Sequence, residues 1–118
     1  MATRSSIGVK LPNGHIKAIY CHWDGYPSGV GYTLKESYTT EEKINALIEL
    51  GNLSVLGPEI GEKQDFNHPH PDWCLSYGRD RAENGTDAGV FADIEEWMNG
   101  IDVSYYYLWD GTKWENVN

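Results

Sequence analysis

The sequence predicts an α+β fold, with an antiparallel sheet of about five strands and two or three helices packed on it. Three observations predict it. Alternating apolar and polar residues at the start of the chain run into Pro12-Asn13-Gly14, a strong turn signal. Asp110-Gly111 sits between two runs rich in β-forming residues near the end, which reads as a second hairpin. Between them, Thr39-Thr40-Glu41-Glu42 opens an apolar stripe at helical spacing, and Gly51 ends it. The chain has 118 residues and fits a single domain over 1–118, long enough to bury a core without a metal or a disulfide.

In chain order, residues 6–11 form the first strand and 16–23 the second. Side chains alternate across a strand, so Ile19, Cys21 and Trp23 share one face, and Ala18, Tyr20 and His22 share the other. With Ile7, Val9, Leu11, Ile19 and Trp23 on the core face, Tyr20 and His22 face solvent or a cleft. Residues 24–29 read as a loop. Val30, Leu34 and Tyr38 recur at four-residue spacing and predict a helix over 28–38, weakened by two glycines near its start. The next helix has Thr39 as its cap and Ile44, Leu47 and Ile48 as its stripe. Residues 52–56 make a short turn under it. Residues 57–72 form a long loop carrying Pro58, Gly61, Pro69 and Pro71, and loops of that length are often functional. A central strand over 73–77 leads into Arg79-Asp80-Arg81, then a polar turn over 81–87. A short helix over 93–100 closes on Gly100, and the hairpin of 103–109 and 112–117 ends the fold.

Hydrophobic residues make up 40% of the chain, which suits a globular protein. The formal net charge of −9 argues against direct, non-specific nucleic-acid binding, which needs Lys and Arg to neutralise phosphates. It permits an acidic surface that meets a basic partner or mimics DNA, but the preferred reading is a charge that only keeps the protein soluble. No apolar run approaches a membrane span, and residues 1–6 have no apolar signal core, so the expected location is the cytoplasm. Cys21 and Cys74 belong to no C-x-x-C pair and read as free thiols. A homo-oligomer is left open.

The densest chemistry lies in Tyr20-Cys21-His22-Trp23-Asp24-Gly25-Tyr26-Pro27, where a thiol, an imidazole, a carboxylate and three aromatics precede a turn. The second dense stretch is Tyr77-Gly78-Arg79-Asp80-Arg81. It holds two of the three arginines, the third being Arg4. Arginine recognises phosphate and carboxylate through planar, paired hydrogen bonds, and aromatic rings can stack on a base. The competing reading is structural: salt bridges to Asp80, Glu83 or Asp24, and rings that fill the core. For Trp23, Trp97, Trp109 and Trp114 the core reading is preferred.

Other constellations are weaker. His68, His70 and Cys74, with Cys21 or His22, offer metal-binding groups, but H-x-H-x-x-x-C matches no standard structural zinc site. No cofactor is expected. Cys21 and His22 are adjacent on a strand and point to opposite faces, so they are not a nucleophile–base pair with each other. Asp24 with Asp80 or Glu83 would make an acid–base pair, but any acidic chain offers such pairs.

Arg4 at the opening of the first strand, the Cys-His-Trp-Asp-Gly-Tyr block, Leu50-Gly51-Asn52-Leu53-Ser54, Tyr77-Gly78-Arg79-Asp80-Arg81 and the closing Tyr107-Leu108-Trp109 and Trp114 together resemble a family of small uncharacterised bacteriophage proteins. The resemblance covers nearly the whole chain, with Ala82 standing where relatives tend to carry Gly. It supplies no activity. It implies a phage product in the host bacterial cytoplasm, where small accessory proteins often counter host defences. The expectation is a non-enzymatic accessory protein that binds a small anionic, nucleotide-like ligand. Arg4, Arg79 and Arg81 would take the anion, Tyr20 and Tyr26 would stack, and His22, Asp24 and Asp80 would make polar contacts. The alternatives are an acidic inhibitor of a host defence protein and a hydrolase of a nucleotide signal.

Overall fold

The computed structural model describes residues 2–118. The predicted N-terminal hairpin is present: β1 (Ser5–Lys10) pairs antiparallel with β2 (Ile16–Cys21), from Ser5 opposite Cys21 to Lys10 opposite Ile16. Gly14 sits in the turn at φ 87°, the left-handed region that favours glycine. β3 (Leu53–Val55) extends the C-terminal end of β2, and β4 (Leu75–Ser76) follows it. β5 (Gly89–Phe91) pairs with the N-terminal end of β2. β6 (Tyr105–Trp109) lies along the other edge of β1 and carries β7 (Trp114–Asn116). Among the described residues, the sheet has seven strands in the order β4-β3-β2-β1-β6-β7, with β5 sharing the β2 edge.

The sheet is therefore mixed, which corrects the expectation of five antiparallel strands. β1 runs parallel to β6, and β2 runs parallel to β3. Parallel neighbours need a crossover rather than a tight turn, and helices supply it. The sequence hides this pairing because short strands give no sign of their partners.

Four α-helices stand among the described residues, rather than two or three: α1 (Tyr32–Ser37), α2 (Glu41–Glu49), α3 (Tyr77–Arg81) and α4 (Ile94–Gly100). The predicted first helix is split, because Pro27–Gly31 forms a π-helical turn before α1 begins. The cap of α2 is Thr40, one residue later than predicted, with its hydroxyl accepting the Lys43 N–H at 3.3 Å. Residues 52–56 hold β3 instead of a turn. The predicted central strand over 73–77 shrinks to an edge strand of two residues, and the arginine segment beyond it is helical.

Both faces of the sheet are covered. Ile7, Val9, Ile19 and Cys21 pack with Val30, Leu34 and Tyr38 and with Ile44, Leu47 and Ile48 of α2. Ile16, Ala18, Tyr106 and Leu108 pack on the other face against Trp97 of α4. Trp97 is fully buried, and its indole N–H donates to the Ser6 hydroxyl at 2.9 Å. Ser6 in turn donates to the Ile19 carbonyl at 2.8 Å. Trp23 is a correction. β2 ends at Cys21, so the alternation stops before Trp23, which is 44% exposed. No helix among the described residues is long and apolar enough to cross a membrane.

Candidate functional site

The β2 edge is taken by two different strands. β5 covers Ile16 to Ala18, and β3 starts at Cys21. Tyr20 lies in the interval, and its backbone N–H is met by the Asn52 side-chain oxygen at 3.0 Å. The Asn52 backbone N–H donates to the Thr86 carbonyl at 2.7 Å, and its carbonyl accepts the Tyr77 N–H at 3.2 Å. One asparagine thus joins β2, the start of α3 and the loop after it. Gly51 makes this possible: its φ is 76°, and a side chain there would run into the Thr86 carbonyl.

Above this junction lies an open hollow of about 400 Å³, lined chiefly by Tyr20, Asn52, Tyr77, Arg81, Glu83 and Thr86. Its size falls in the range of small-molecule sites. The first segment contributes Tyr20, and the second contributes Tyr77 and Arg81. Arg81 is half exposed. Its guanidinium lies 4.8 Å from the Tyr77 ring centre and 4.6 Å from that of Phe66, and those rings stack at 5.7 Å. Its Nε donates to Glu83 at 2.6 Å. Both partners face solvent, so the pair contributes little to stability and can open to another anion.

Arg79 is placed differently. It grips Asp80 with two bonds, Nε to Oδ1 at 2.9 Å and Nη2 to Oδ2 at 3.1 Å. Nη1 and Nη2 also donate to the carbonyls of Ile60 and Cys74 respectively, each at 2.8 Å. Asp80 also accepts the Ser76 N–H at 2.8 Å and the Gln64 N–H at 3.1 Å. Burial pushes the Asp80 carboxyl up, but the Arg79 guanidinium and these two backbone donors outweigh it and hold the group below its ordinary value. This pair fastens the long loop over 57–72 to α3 and positions Arg81 and Tyr77 beside it.

Around Tyr20, the phenol oxygen lies 2.7 Å from His22 Nδ1, and the imidazole meets Trp23 edge-on at 4.8 Å. Burial raises the Tyr20 phenol, with the Arg4 guanidinium acting in the opposite direction. Arg4 is thus an electrostatic neighbour of Tyr20, exposed just before the start of β1. Asp24 and Tyr26 go elsewhere. The Tyr26 hydroxyl donates to Asp24 Oδ1 at 3.1 Å, and both are exposed. Their loop is fixed to the start of the chain by Gly25 N–H to the Thr3 carbonyl at 2.9 Å, and to β6 by the Tyr107 hydroxyl on the Gly25 carbonyl at 2.7 Å. Neither residue lines the hollow.

No protein-family model, curated protein or solved structure matches the chain.

The residues considered for metal are dispersed into other contacts. His68 pairs with Asp65 at 3.0 Å, and His70 stacks on Trp73 at 4.4 Å. Cys74 is buried with its sulfur 3.1 Å from the Tyr38 hydroxyl. Among the described residues, no group of three or more His, Cys, Asp or Glu side chains is arranged to hold a metal ion. Burial pushes the Cys21 thiol up to about 12 and raises Cys74 as well, so both favour the neutral thiol.

Sequence reasoning missed Asn52, Phe66 and Thr86. Only Asn52 carried a local signal, a polar residue directly after a helix-ending glycine. Phe66 and Thr86 reach the site through the fold alone.

Proposed function

We propose that this chain is a non-catalytic receptor for a small anionic, nucleotide-like ligand, held in the hollow between β2 and α3. The observation that carries the reading is the meeting of Tyr20 with Tyr77 and Arg81 across one concavity, from segments far apart in sequence. Arg81 supplies a forked donor that an incoming phosphate would share with, or take from, Glu83. The Tyr20 and Tyr77 rings offer faces for a base, and Arg4 adds positive potential beside Tyr20. Arg79 and Asp80 act in this reading by holding α3 in place, without touching the ligand. A binder that sequesters a nucleotide signal agrees with the counter-defence role that the phage resemblance implies.

Isothermal titration against mononucleotides and cyclic dinucleotides tests this. Saturable binding to one of them, weakened at least tenfold by Arg81→Ala, supports it. Absence of binding across the panel overturns it. Chromatography of the mixture after incubation distinguishes a receptor from a hydrolase, since a receptor returns the nucleotide intact.

The net charge of −9 supports a second reading, an acidic inhibitor of a host defence protein. That reading requires a stoichiometric partner recovered from host lysate whose association weakens as salt rises.

A further inference from the structure

The C-terminal hairpin and the end of α1 enclose a separate cleft of about 320 Å³, which shares no residue with the hollow at Arg81. Its walls include Trp109 and Trp114, Lys35 and Lys113 stand at it, and the adjoining Tyr38 is fully buried. Among the described residues, no Asp or Glu lines it, in a chain whose 18 acidic residues outnumber its 9 Lys and Arg two to one. The positive charge there is available. Lys35 makes no ion pair among the described residues, and Lys113 reaches Glu115 only at 3.8 Å, with both side chains largely exposed.

The polar atoms of the aromatic walls divide into satisfied and unsatisfied. The Trp114 indole N–H donates to the Tyr38 carbonyl at 2.9 Å, and the Tyr38 hydroxyl turns away to the Gly57 carbonyl at 2.6 Å. The Trp109 indole N–H is shielded from solvent and has no acceptor among the described residues. Such donors are rare in native proteins, because an unpaired buried donor forfeits the hydrogen bond it made with water. The rings of Trp109 and Trp114 lie 5.6 Å apart and tilted by 53°, so they form a corner and not a closed stack.

We propose that this cleft is a second ligand site, which takes a small amphipathic carboxylate: a flat apolar body against Trp109 and Trp114, and an anionic head at Lys35 and Lys113. The apolar body gains from leaving water against the rings. The lysines act as point charges on the head group, beside walls that carry no competing carboxylate.

The test uses the full ¹⁵N-labelled chain, whose five tryptophans give five indole N–H resonances. Trp109→Phe assigns the relevant signal. The probes are 2-naphthoate, its neutral counterpart 2-naphthamide, and inorganic phosphate. The proposal expects a saturable shift of the Trp109 resonance with naphthoate, and little with naphthamide or phosphate. The double variant Lys35→Ala with Lys113→Ala should raise the naphthoate Kd at least tenfold, and Arg81→Ala should leave it unchanged. Equal response to naphthoate and naphthamide overturns the proposal, as does saturation by phosphate alone or a silent Trp109 signal. A Trp109 resonance that moves with protein concentration alone also overturns it, since a second copy would then cover the cleft.

Discussion

Asn52 accepts the backbone N–H of Tyr20 through its side chain, at the one point where neither β3 nor β5 reaches the β2 edge. A side chain here takes the place of a missing strand carbonyl. The same asparagine anchors the Tyr77 N–H and the Thr86 carbonyl, so the hollow owes its floor to a single residue. Asn52→Ala would leave the Tyr20 N–H unpaired and should destabilise the fold by about 1–3 kcal/mol, read as a lower urea midpoint. Asn52→Asp keeps an acceptor and should lose less. Equal losses in the two variants would mean that the Tyr20 bond is not the important one.

Arg79 and Asp80 form a largely buried ion pair, with the carboxylate side chain fully shielded and the Arg79 side chain 17% exposed. Removing one partner of a buried pair typically costs about 3–5 kcal/mol. Arg79→Ala should therefore bring the chain close to unfolding at room temperature. The folded-state pKa of Asp80 lies below its unfolded value, so the stability it contributes is present above about pH 4 and lost as pH falls through the folded value. Asp80→Asn should be less stable at pH 7 and show a shallower loss of stability as the pH falls below about 4. Parallel acid-unfolding curves for variant and wild type would remove Asp80 from this role.

Ala82 ends α3 in the left-handed region at φ 55°, with its N–H on the Gly78 carbonyl and the Glu83 N–H on the Tyr77 carbonyl. A β-carbon costs about 1–2 kcal/mol in this conformation, and Gly avoids it. Ala82→Gly is expected to raise the melting temperature by several degrees for a domain of this size. A lower Tm in that variant would contradict the strain assigned to Ala82.

Both cysteines are free and buried, and burial raises both thiols, Cys21 to about 12. A disulfide-exchange reagent such as Ellman's reagent should release no colour from the folded chain over minutes at pH 8. It should titrate two thiols after denaturation. Rapid reaction of either residue in the native state would show that its surroundings open.

The fold was legible where local chemistry decides structure. Pro12-Asn13-Gly14 marks the first turn, and Gly51 marks the end of α2. Legibility failed where tertiary pairing decides. Leu53–Val55 and Gly89–Phe91 are too short to carry a strand pattern, and each is a strand only because a stretch of β2 edge is free to receive it. Trp23 lies off the core face because the strand alternation ends with Cys21, the last residue of β2. At the site, the residue types in the two segments were visible, but their division of labour was not. Arg79 and Arg81, two positions apart, look alike in sequence, yet one side chain is turned inward to Asp80 and the other outward over Tyr77. Which way each points depends on the loop over 57–72, whose carbonyl at Ile60 and N–H at Gln64 complete the buried network.

The most direct measurement of the central claim is a ¹⁵N chemical-shift titration of the full chain with mononucleotides and cyclic dinucleotides. The amides of Asn52, Tyr77, Gly85 and Thr86 should move together and saturate with one of these ligands, and Arg81→Ala should suppress the movement. Unchanged spectra across the panel, or shifts confined to the Asp24–Tyr26 loop with those four amides still, would contradict it.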